Sequence, residues 1–249
     1  MKSIFLLAIA HAAVLVSSYD INFAQSYDND AIENERQFLT LDPDLEFIQK
    51  LKNTNGSISK PIILTCKVYS TPTVSFTWEK DGEKIQGGIE VNVLEKGFNS
   101  GKYTTQSEVT TSVYTIMCPN SAKSGEYSCM ANNGHKMIRS EAIVQIDGER
   151  EDCPNFSNTK PSIIQFTDTR SEMESNTATL LCRTNMRARY TWIFKNRELN
   201  SEEYIILPNG DLFIENLSSE DMGTYTCVAK NAYGESRQDA FLNVTKSVN

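Results

Sequence analysis

The sequence is poor in histidine, in basic side chains and in long apolar runs, and each shortage excludes a class of protein. Of its two histidines, His11 lies in an N-terminal leader, so His135 alone remains and no histidine-based metal site can be built. The formal net charge of −8 argues against a nucleic-acid partner, because phosphate binding needs a basic face. A glycine-rich phosphate loop is also missing. We therefore expect a binding module with no catalytic residues, no metal and no cofactor.

The longest apolar run of the chain lies at its N-terminus. Residues 1–18 contain one basic side chain, Lys2, then the apolar run Ile4–Ala10 and several small residues. This run is too short to cross a membrane and is followed by His11, so it predicts a signal peptide that is cleaved before Tyr19. Because no second apolar segment follows, we expect a secreted, extracellular protein without a membrane anchor.

Residues 19–44 form a predicted acidic arm in which Arg36 is the one basic side chain. Residues 19–46 hold eight acidic side chains against Arg36, so nearly the whole net charge of −8 lies in this arm and the two residues after it. Low hydrophobicity combined with charge of one sign favours a solvated, disordered segment. An arm that contacts a basic partner is the alternative, and the sequence leaves it open.

The six cysteines and two tryptophans mark two repeats of one pattern. Each repeat contains, in the same order, a cysteine, a tryptophan, a tyrosine and a second cysteine: Cys66, Trp78, Tyr127 and Cys129, then Cys182, Trp192, Tyr225 and Cys227. A tyrosine two residues before a cysteine on an alternating strand is typical of strand F in an immunoglobulin sandwich, where the phenol bonds back to the backbone and the cysteine crosses to strand B. The pattern resembles the immunoglobulin superfamily. It predicts disulfides Cys66–Cys129 and Cys182–Cys227, with both tryptophans and both tyrosines in the cores.

We therefore predict an all-β chain of two tandem immunoglobulin-like sandwiches of the I-set or C2-like type. The two repeats lie about one domain length apart, ~100 residues. The predicted boundaries are residues 45–147 for domain 1, 148–160 for a linker and 161–246 for domain 2. A framework of disulfides is typical of an oxidising compartment, which agrees with secretion.

The remaining cysteines, Cys118 and Cys153, predict a third bridge. Cys118 ends strand E of domain 1 and Cys153 follows strand G. In this topology strand E ends where strand F begins, and strand G returns to that end of the sandwich, so the two thiols are brought together. Intermolecular pairing through two free thiols is the alternative.

Domain 1 is longer than domain 2 between its tryptophan and its second cysteine. The extra residues fall in 87–112, a stretch that contains Gly, Ser and Thr and predicts longer or additional strands and turns. Enlarged loops often carry binding function, although an inert insertion is an equally good interpretation.

Four Asn-x-Ser/Thr motifs predict N-glycosylation of a secreted chain. They begin at Asn55, Asn155, Asn216 and Asn243. Because a three-residue motif also arises by chance, we expect most of the four, but not all, to be occupied.

Strand alternation predicts a candidate ligand face. If the core tryptophan and cysteine of domain 2 point inward, then Ile193, Val228 and Phe241 point outward on the sheet formed by strands C, F and G. Three apolar residues on one face can form a binding patch. Cover by domain 1, by the linker or by a neighbouring glycan is the alternative. In domain 1 the same reasoning places Met130 and Ile143 outward on the corresponding sheet.

The order of features resembles the secreted nematode two-immunoglobulin (zwei-Ig) proteins. The resemblance covers roughly residues 45–246, and its specific part is the layout together with the extra pair Cys118 and Cys153. It implies a neuronally secreted factor that maintains the positions of axons and cell bodies after development. An insect relative, a secreted insulin-binding two-domain protein, implies instead a sink for insulin-like peptides.

Two hypotheses of different class follow from this resemblance and from the exposed strands. The first is an extracellular interaction protein that acts on cell-surface adhesion molecules and has some capacity for weak self-association. The second is a soluble carrier that sequesters a small peptide hormone through the apolar patch of domain 2. For a third interpretation, a structural matrix component, the sequence offers no repeat or cross-linking feature.

Overall fold

The computed structural model describes residues 42–87, 93–148, 158–199 and 204–246. The predicted signal peptide, nearly all of the acidic arm and most of the predicted linker lie outside these residues. In domain 1 the strands are β1 (Asp44–Gln49), β2 (Thr54–Ser57), β3 (Ile62–Thr71), β4 (Ser75–Lys80), β5 (Glu83–Gly87), β6 (Ser107–Ile116), β7 (Gly125–Asn132) and β8 (Met137–Asp147). A short helix, α1 (Val93–Phe98), lies between β5 and β6.

Domain 2 continues the all-β pattern. Its strands are β9 (Ile163–Met173), β10 (Ala178–Leu180), β11 (Cys182–Thr184), β12 (Arg189–Phe194), β13 (Arg197–Glu198), β14 (Ile205–Ile206), β15 (Leu212–Ile214), β16 (Gly223–Asn231) and β17 (Gly234–Thr245). The long strands bury alternate side chains, as in β8, where Ser140, Ala142, Val144 and Ile146 are buried and their neighbours are not. The period of two in the sequence therefore explains the strands.

The strands pair into three sheets within the described residues. One runs β2-β8-β7-β4-β5 and belongs to domain 1, and one runs β10-β15-β14 and belongs to domain 2. The third runs β1-β3-β6-β9-β17-β16-β12-β13, with β11 also paired to β9, and crosses from one domain to the other. The antiparallel pairing of β6 with β9 makes this crossing. The predicted class of two tandem immunoglobulin-like sandwiches is confirmed, but the shared sheet was not predicted.

Each sandwich is closed by the predicted intersheet disulfide beside a buried tryptophan. The bridges Cys66–Cys129 and Cys182–Cys227 are both present, and Trp78 and Trp192 are completely buried. Both indole N–H groups have acceptors, because Trp78 Nε1 donates to Ser112 Oγ and Trp192 Nε1 donates to the Gly210 carbonyl, each at 2.9 Å. Each buried indole therefore adds apolar contact area to its core and leaves no N–H group without an acceptor.

The two core tyrosines form the predicted corners. The Tyr127 hydroxyl donates to the Lys123 carbonyl at 2.8 Å, and the Tyr225 hydroxyl donates to the Asp221 carbonyl at 2.9 Å. Lysine and aspartate serve equally well at this position because the acceptor is the backbone. Burial raises the pKa of Tyr127 to about 12, which keeps the phenol a donor.

Two sequence expectations concern residues that the structure describes only in part. Cys118 is disulfide-bonded, but Cys153 lies outside the described residues, so the Cys118–Cys153 pairing stays a prediction. In the insertion, where longer or additional strands and turns were expected, Val93–Phe98 forms a helix that was not predicted. The helix packs against domain 2, where the Phe98 ring meets the Phe213 ring edge-on at a centroid distance of 5.3 Å.

Both cores lie on the same side of the shared sheet. Ser70 on β3 lies opposite Glu108 on β6, and Glu108 lies opposite Arg170 on β9. Arg170 in turn lies opposite Leu242 on β17, a core residue of domain 2. Residues directly opposite each other project from the same face of a sheet, so the inward row of domain 1 continues into the inward row of domain 2. The other side of the sheet is one outer face that spans both domains.

Candidate ligand-binding face

A buried cluster of charged side chains joins the two domains behind this outer face. Arg170 on β9 is completely buried and forms ion pairs with Glu95 on α1 and with Glu172 on β9. Glu108 on β6 is also buried, lies opposite Arg170 and accepts a hydrogen bond from the Val74 backbone N–H at 2.8 Å. Because its members come from α1, β6 and β9, the cluster ties the first strand of domain 2 to domain 1.

Neutral side chains extend this junction on the side of α1. Asn99 exchanges two hydrogen bonds with the Thr177 backbone, one in each direction and each 2.8 Å long, which imitates the pairing of two strands. The Glu172 carboxylate accepts from the Thr105 backbone N–H at 3.0 Å and from Asn176 Nδ2 at 3.1 Å. The insertion is therefore an integral part of the contact between the domains.

One guanidinium in this cluster faces three carboxylates. Burial raises the pKa of Glu95 from 4.5 to about 7, while the charge of Arg170 opposes the rise and the charges of Glu172 and Glu108 add to it. Burial likewise raises the pKa of Glu108, again against the charge of Arg170. A single positive charge cannot balance three negative ones in a buried site, so the cluster favours the uptake of a proton near neutral pH.

The raised pKa of Glu95 makes stability depend on pH. Between pH 4.5 and about 7 the folded chain holds a proton at Glu95 that the unfolded chain releases. The free energy of unfolding therefore falls as pH rises through this window, by at most about 1.4 kcal/mol per pH unit for one proton. In urea unfolding at a series of pH values, we expect Glu95→Gln to flatten this slope and the exposed control Glu46→Gln to leave it unchanged. Parallel profiles for wild type and Glu95→Gln would contradict the assignment.

The two domains are also in contact on the outer side of the shared sheet. Lys67 Nζ on β3 lies 2.7 Å from Asp168 Oδ1 on β9, and Thr111 Oγ1 on β6 donates to Asp168 Oδ2 at 2.6 Å. These contacts join β3 and β6 of domain 1 to β9 of domain 2. The outer face therefore runs from domain 1 into domain 2 without a break in the strand pairing.

The three predicted ligand-face residues of domain 2 lie on the outer face but do not form one patch. Ile193 and Val228 line the same surface concavity. Phe241, 41% exposed, lies opposite Thr224, four residues along β16 from Val228. Two residues of strand advance about 6.6 Å, so Phe241 and Val228 are about 13 Å apart along the strand direction. Val228 is also only 7% exposed. Strand alternation places all three residues on the outer side of the sheet, but they do not form the contiguous apolar patch that the sequence left open.

The concavity beside Ile193 and Val228 has a volume of about 510 Å³ and a charged rim. Arg189 on β12 lies directly opposite Lys230 on β16, and neither side chain forms an ion pair with any described residue. Arg237 also lines the concavity but is paired with Glu235 at 3.0 Å. Like charges directly opposite each other destabilise a sheet. On its other side Lys230 lies opposite Glu235 of β17, and Glu198 also lines the concavity, so the rim holds three cations and two carboxylates. An acidic group bound between Arg189 and Lys230 would relieve that repulsion.

The two predicted face residues of domain 1 also lie apart from each other. Met130 on β7 is half-buried, and its sulfur lies 3.6 Å from the Arg139 guanidinium. Ile143 on β8 is 50% exposed and lies opposite Glu126. Both belong to the sheet β2-β8-β7-β4-β5 and not to the shared sheet, so they cannot extend the outer face of domain 2. A role for either in ligand binding stays a prediction.

The predicted glycosylation sites occupy different environments. Asn55 on β2 and Asn216 after β15 are exposed. Asn243 is half-buried on β17, where its Nδ2 lies 3.4 Å from Ser171 Oγ, and it lies on the outer face two residues from Phe241. Asn155 lies outside the described residues. A glycan on Asn243 would cover the part of the face around Phe241, and its occupancy stays a prediction.

Sequence reasoning missed the residues that define both the junction and the rim. Arg170 and Glu172 occupy inward positions of a long strand, where alternation favours apolar side chains, and this mismatch was the available signal. Arg189 and Lys230 carried no local signal, because their proximity depends on the register between β12 and β16.

Two immunoglobulin sandwiches that share a sheet, joined by a buried ion cluster, define a two-domain binding protein of the immunoglobulin superfamily. Residues 45–146 match the immunoglobulin I-set domain and residues 160–231 match an immunoglobulin domain. The chain is 40% identical to the Zwei Ig domain protein zig-3 of Caenorhabditis elegans and 39% identical to zig-4, with 86% of this chain covered in both and 86% and 85% of those proteins. The chain belongs to the Zwei Ig domain protein family, whose members are binding proteins and not enzymes.

The solved structure of the neural ectodermal development factor IMP-L2 has the same two-domain fold. It superposes with a TM-score of 0.63, covering 84% of this chain and 98% of that one, at 22% sequence identity. Within the described ranges, no helix has the length and apolar character that a membrane crossing requires. In the same ranges no group of three or more His, Cys, Asp or Glu side chains is placed to hold a metal ion.

Proposed function

We propose that this protein is secreted and binds adhesion proteins on cell surfaces, and that through this interaction it maintains the positions of axons and neurons. The family of nematode two-immunoglobulin proteins supports an extracellular role. The observation that carries the proposal is the concavity on the outer face, where Ile193 and Val228 lie beside Arg189 and Lys230, two cations that form no ion pair with any described residue. Such a site fits an acidic loop of a partner protein that also presents an apolar side chain.

The test measures binding of the purified full-length chain to neuronal membranes. Reversing the two rim charges in Arg189→Glu/Lys230→Glu is expected to weaken binding at least tenfold, because both attractive charges become repulsive. The matched control Lys52→Glu/Lys84→Glu makes the same change in net charge on exposed positions of domain 1. Equal loss in both variants would indicate a general charge effect, and equal binding by wild type and rim variant would remove the site.

Sequestration of an insulin-like peptide is the second candidate function. It is favoured by Phe241, an exposed aromatic ring on the outer face beside the domain junction, where it lies opposite Thr169 of β9. Exposed aromatic side chains are common anchors of protein interfaces. In a calorimetric titration with an insulin-like peptide, Phe241→Asp is expected to raise Kd at least tenfold. The control Met222→Asp, at a similarly exposed apolar position, should leave Kd unchanged, and an unchanged Kd in Phe241→Asp would remove this ring from the site.

A further inference from the structure

A cavity of about 310 Å³ lies on the inner side of the shared sheet, between the two sandwiches. Ser112 on β6 and Gln165 on β9, which lie opposite each other across the junction, are part of its lining. Phe76 and Trp78 of domain 1 form one wall, and Tyr190 of domain 2 is part of the other. The cavity therefore exists because two domains meet on one sheet, and it belongs to neither domain alone.

The walls of this cavity are held in place by hydrogen bonds between lining residues and by packing in the core of domain 1. Trp78 is fixed by its hydrogen bond to Ser112 and packs in the core of domain 1. The Tyr190 hydroxyl lies 2.6 Å from Thr184 Oγ1. At the edge, Gly87 has φ +88, and a Cβ there would lie 2.1 Å from the Phe76 carbonyl oxygen, so no side chain can fill the space from this position. A cavity with fixed walls is already formed before a ligand binds.

The surface of the cavity is mainly apolar, although six of its eleven lining residues are polar: Gln86 and Ser112 of domain 1, and Gln165, Arg183, Thr184 and Asn209 of domain 2. The Arg183 guanidinium binds the buried carboxylate of Asp211 through Nε and Nη2, the latter at 2.7 Å, while its Nη1 makes no hydrogen bond with any described residue. Gln165 Nε2 is buried and also has no partner among those residues. Both unpaired groups are donors, so the polar group that complements them is an acceptor oxygen.

We propose that this cavity binds a compact, largely apolar small molecule that carries one carboxylate or carbonyl group. The apolar body lies between Trp78 and Tyr190, and the oxygen accepts hydrogen bonds from Arg183 and Gln165. The volume is at the lower end of the range for small-molecule sites, about 300–1,000 Å³, and domain interfaces are a usual place for them. The proposal is independent of the protein ligand of the outer face, because the two sites lie on opposite sides of the sheet.

The two tryptophans of the chain allow a site-specific test, because Trp78 lines the cavity and Trp192 does not. The probe is a brominated medium-chain fatty acid, whose bromine atoms quench a tryptophan at short range. With Trp192→Phe, which leaves Trp78 as the emitter, we expect quenching that saturates. Adding Ile164→Phe places a larger side chain in the lining and is expected to raise the half-saturating concentration at least tenfold. Adding Ile205→Phe, an exposed position outside the lining, should change nothing.

A second measurement does not depend on the tryptophan substitution. The unlabelled fatty acid is expected to raise the unfolding temperature of the wild-type chain, because a ligand that binds only the folded state stabilises it. The rise should be lost in Ile164→Phe and reduced when the carboxylate is replaced by a methyl group. Quenching that increases linearly without saturation and is equal in all variants, or a rise in unfolding temperature that Ile164→Phe retains, would overturn the proposal.

Discussion

Replacing Arg170 with methionine is expected to lower the free energy of unfolding by about 3–5 kcal/mol, the usual cost of removing one partner from a buried ion pair. The apolar length of methionine fills part of the space, but Glu95, Glu108 and Glu172 then share a buried site with no positive charge. The loss should be smaller at low pH, because protonated carboxyl groups do not repel one another. Urea unfolding of the full chain at several pH values measures both effects.

Two further variants separate the ion cluster from general effects of the substitution. Arg237→Met removes an exposed arginine that is paired with Glu235, and surface pairs of this kind contribute about 0–1 kcal/mol. In Glu95→Gln/Arg170→Met/Glu172→Gln two of the three repelling charges are removed, so part of the lost stability should return. A loss below about 1 kcal/mol in Arg170→Met, or no recovery in the triple variant, would show that the cluster does not hold the domains together.

Replacing Thr169 with proline is the second change for which a large effect is expected. Thr169 is central in the shared sheet, since it lies opposite Val109 of β6 on one side and Phe241 of β17 on the other. Proline cannot donate to the strand ladder, and its ring does not fit the middle of a sheet. An unpaired buried backbone group costs on the order of 1–3 kcal/mol, and with the steric conflict we expect a loss of roughly 3 kcal/mol.

The side chain of Thr169 itself is exposed, so the backbone effect can be isolated. Thr169→Val keeps the N–H group and the branched shape, and it should change the free energy of unfolding by less than about 0.5 kcal/mol. If proline and valine have equal effects in chemical unfolding, β9 does not pair on both sides in solution. If proline alone is destabilising, the junction strand contributes as the structure indicates.

The local pattern of the sequence was sufficient to predict the two sandwiches. The cysteines, tryptophan and tyrosine of each repeat contact residues of the same domain. Their spacing therefore does not depend on the rest of the chain. The corner at Tyr127 illustrates this, because its acceptor is the Lys123 backbone and no particular side chain is required there. The lysine that replaces the aspartate of domain 2 therefore has no consequence for the corner.

The shared sheet could not be predicted in the same way. The pairing of β6 with β9 depends on the register of two strands from different domains, and the residues of the outer row, such as Thr111 and Asp168, are ordinary for any exposed strand. The inward row did contain a signal of a polar contact, because Arg170 and Glu172 are charged at positions where alternation favours apolar side chains. Charged residues at inward positions of a strand indicate a polar contact that the domain alone does not supply.

The sequence predicted the side of the sheet to which the candidate face residues point, but not the distances between them. Alternation correctly placed Ile193 and Phe241 on the outer side, since a period of two fixes the side of the sheet to which each residue points. Whether two outward residues touch depends on how far apart they lie along the strands, and that distance is set by the register. The proximity of the rim charges Arg189 and Lys230 also depends on the register between β12 and β16, so the sequence alone could not predict it.

Hydrogen–deuterium exchange of the free full-length chain tests the shared sheet most directly. The amides of Thr110 and Ser112 on β6 lie where β6 and β9 pair. If the two domains share one sheet, these amides should be protected as strongly as those in the middle of β16 and β17, and Arg170→Met should weaken their protection first. Rapid exchange of these amides in the wild-type chain, with both disulfide-bonded cores still protected, would show that the two domains do not form one sheet and that the continuous outer face does not exist.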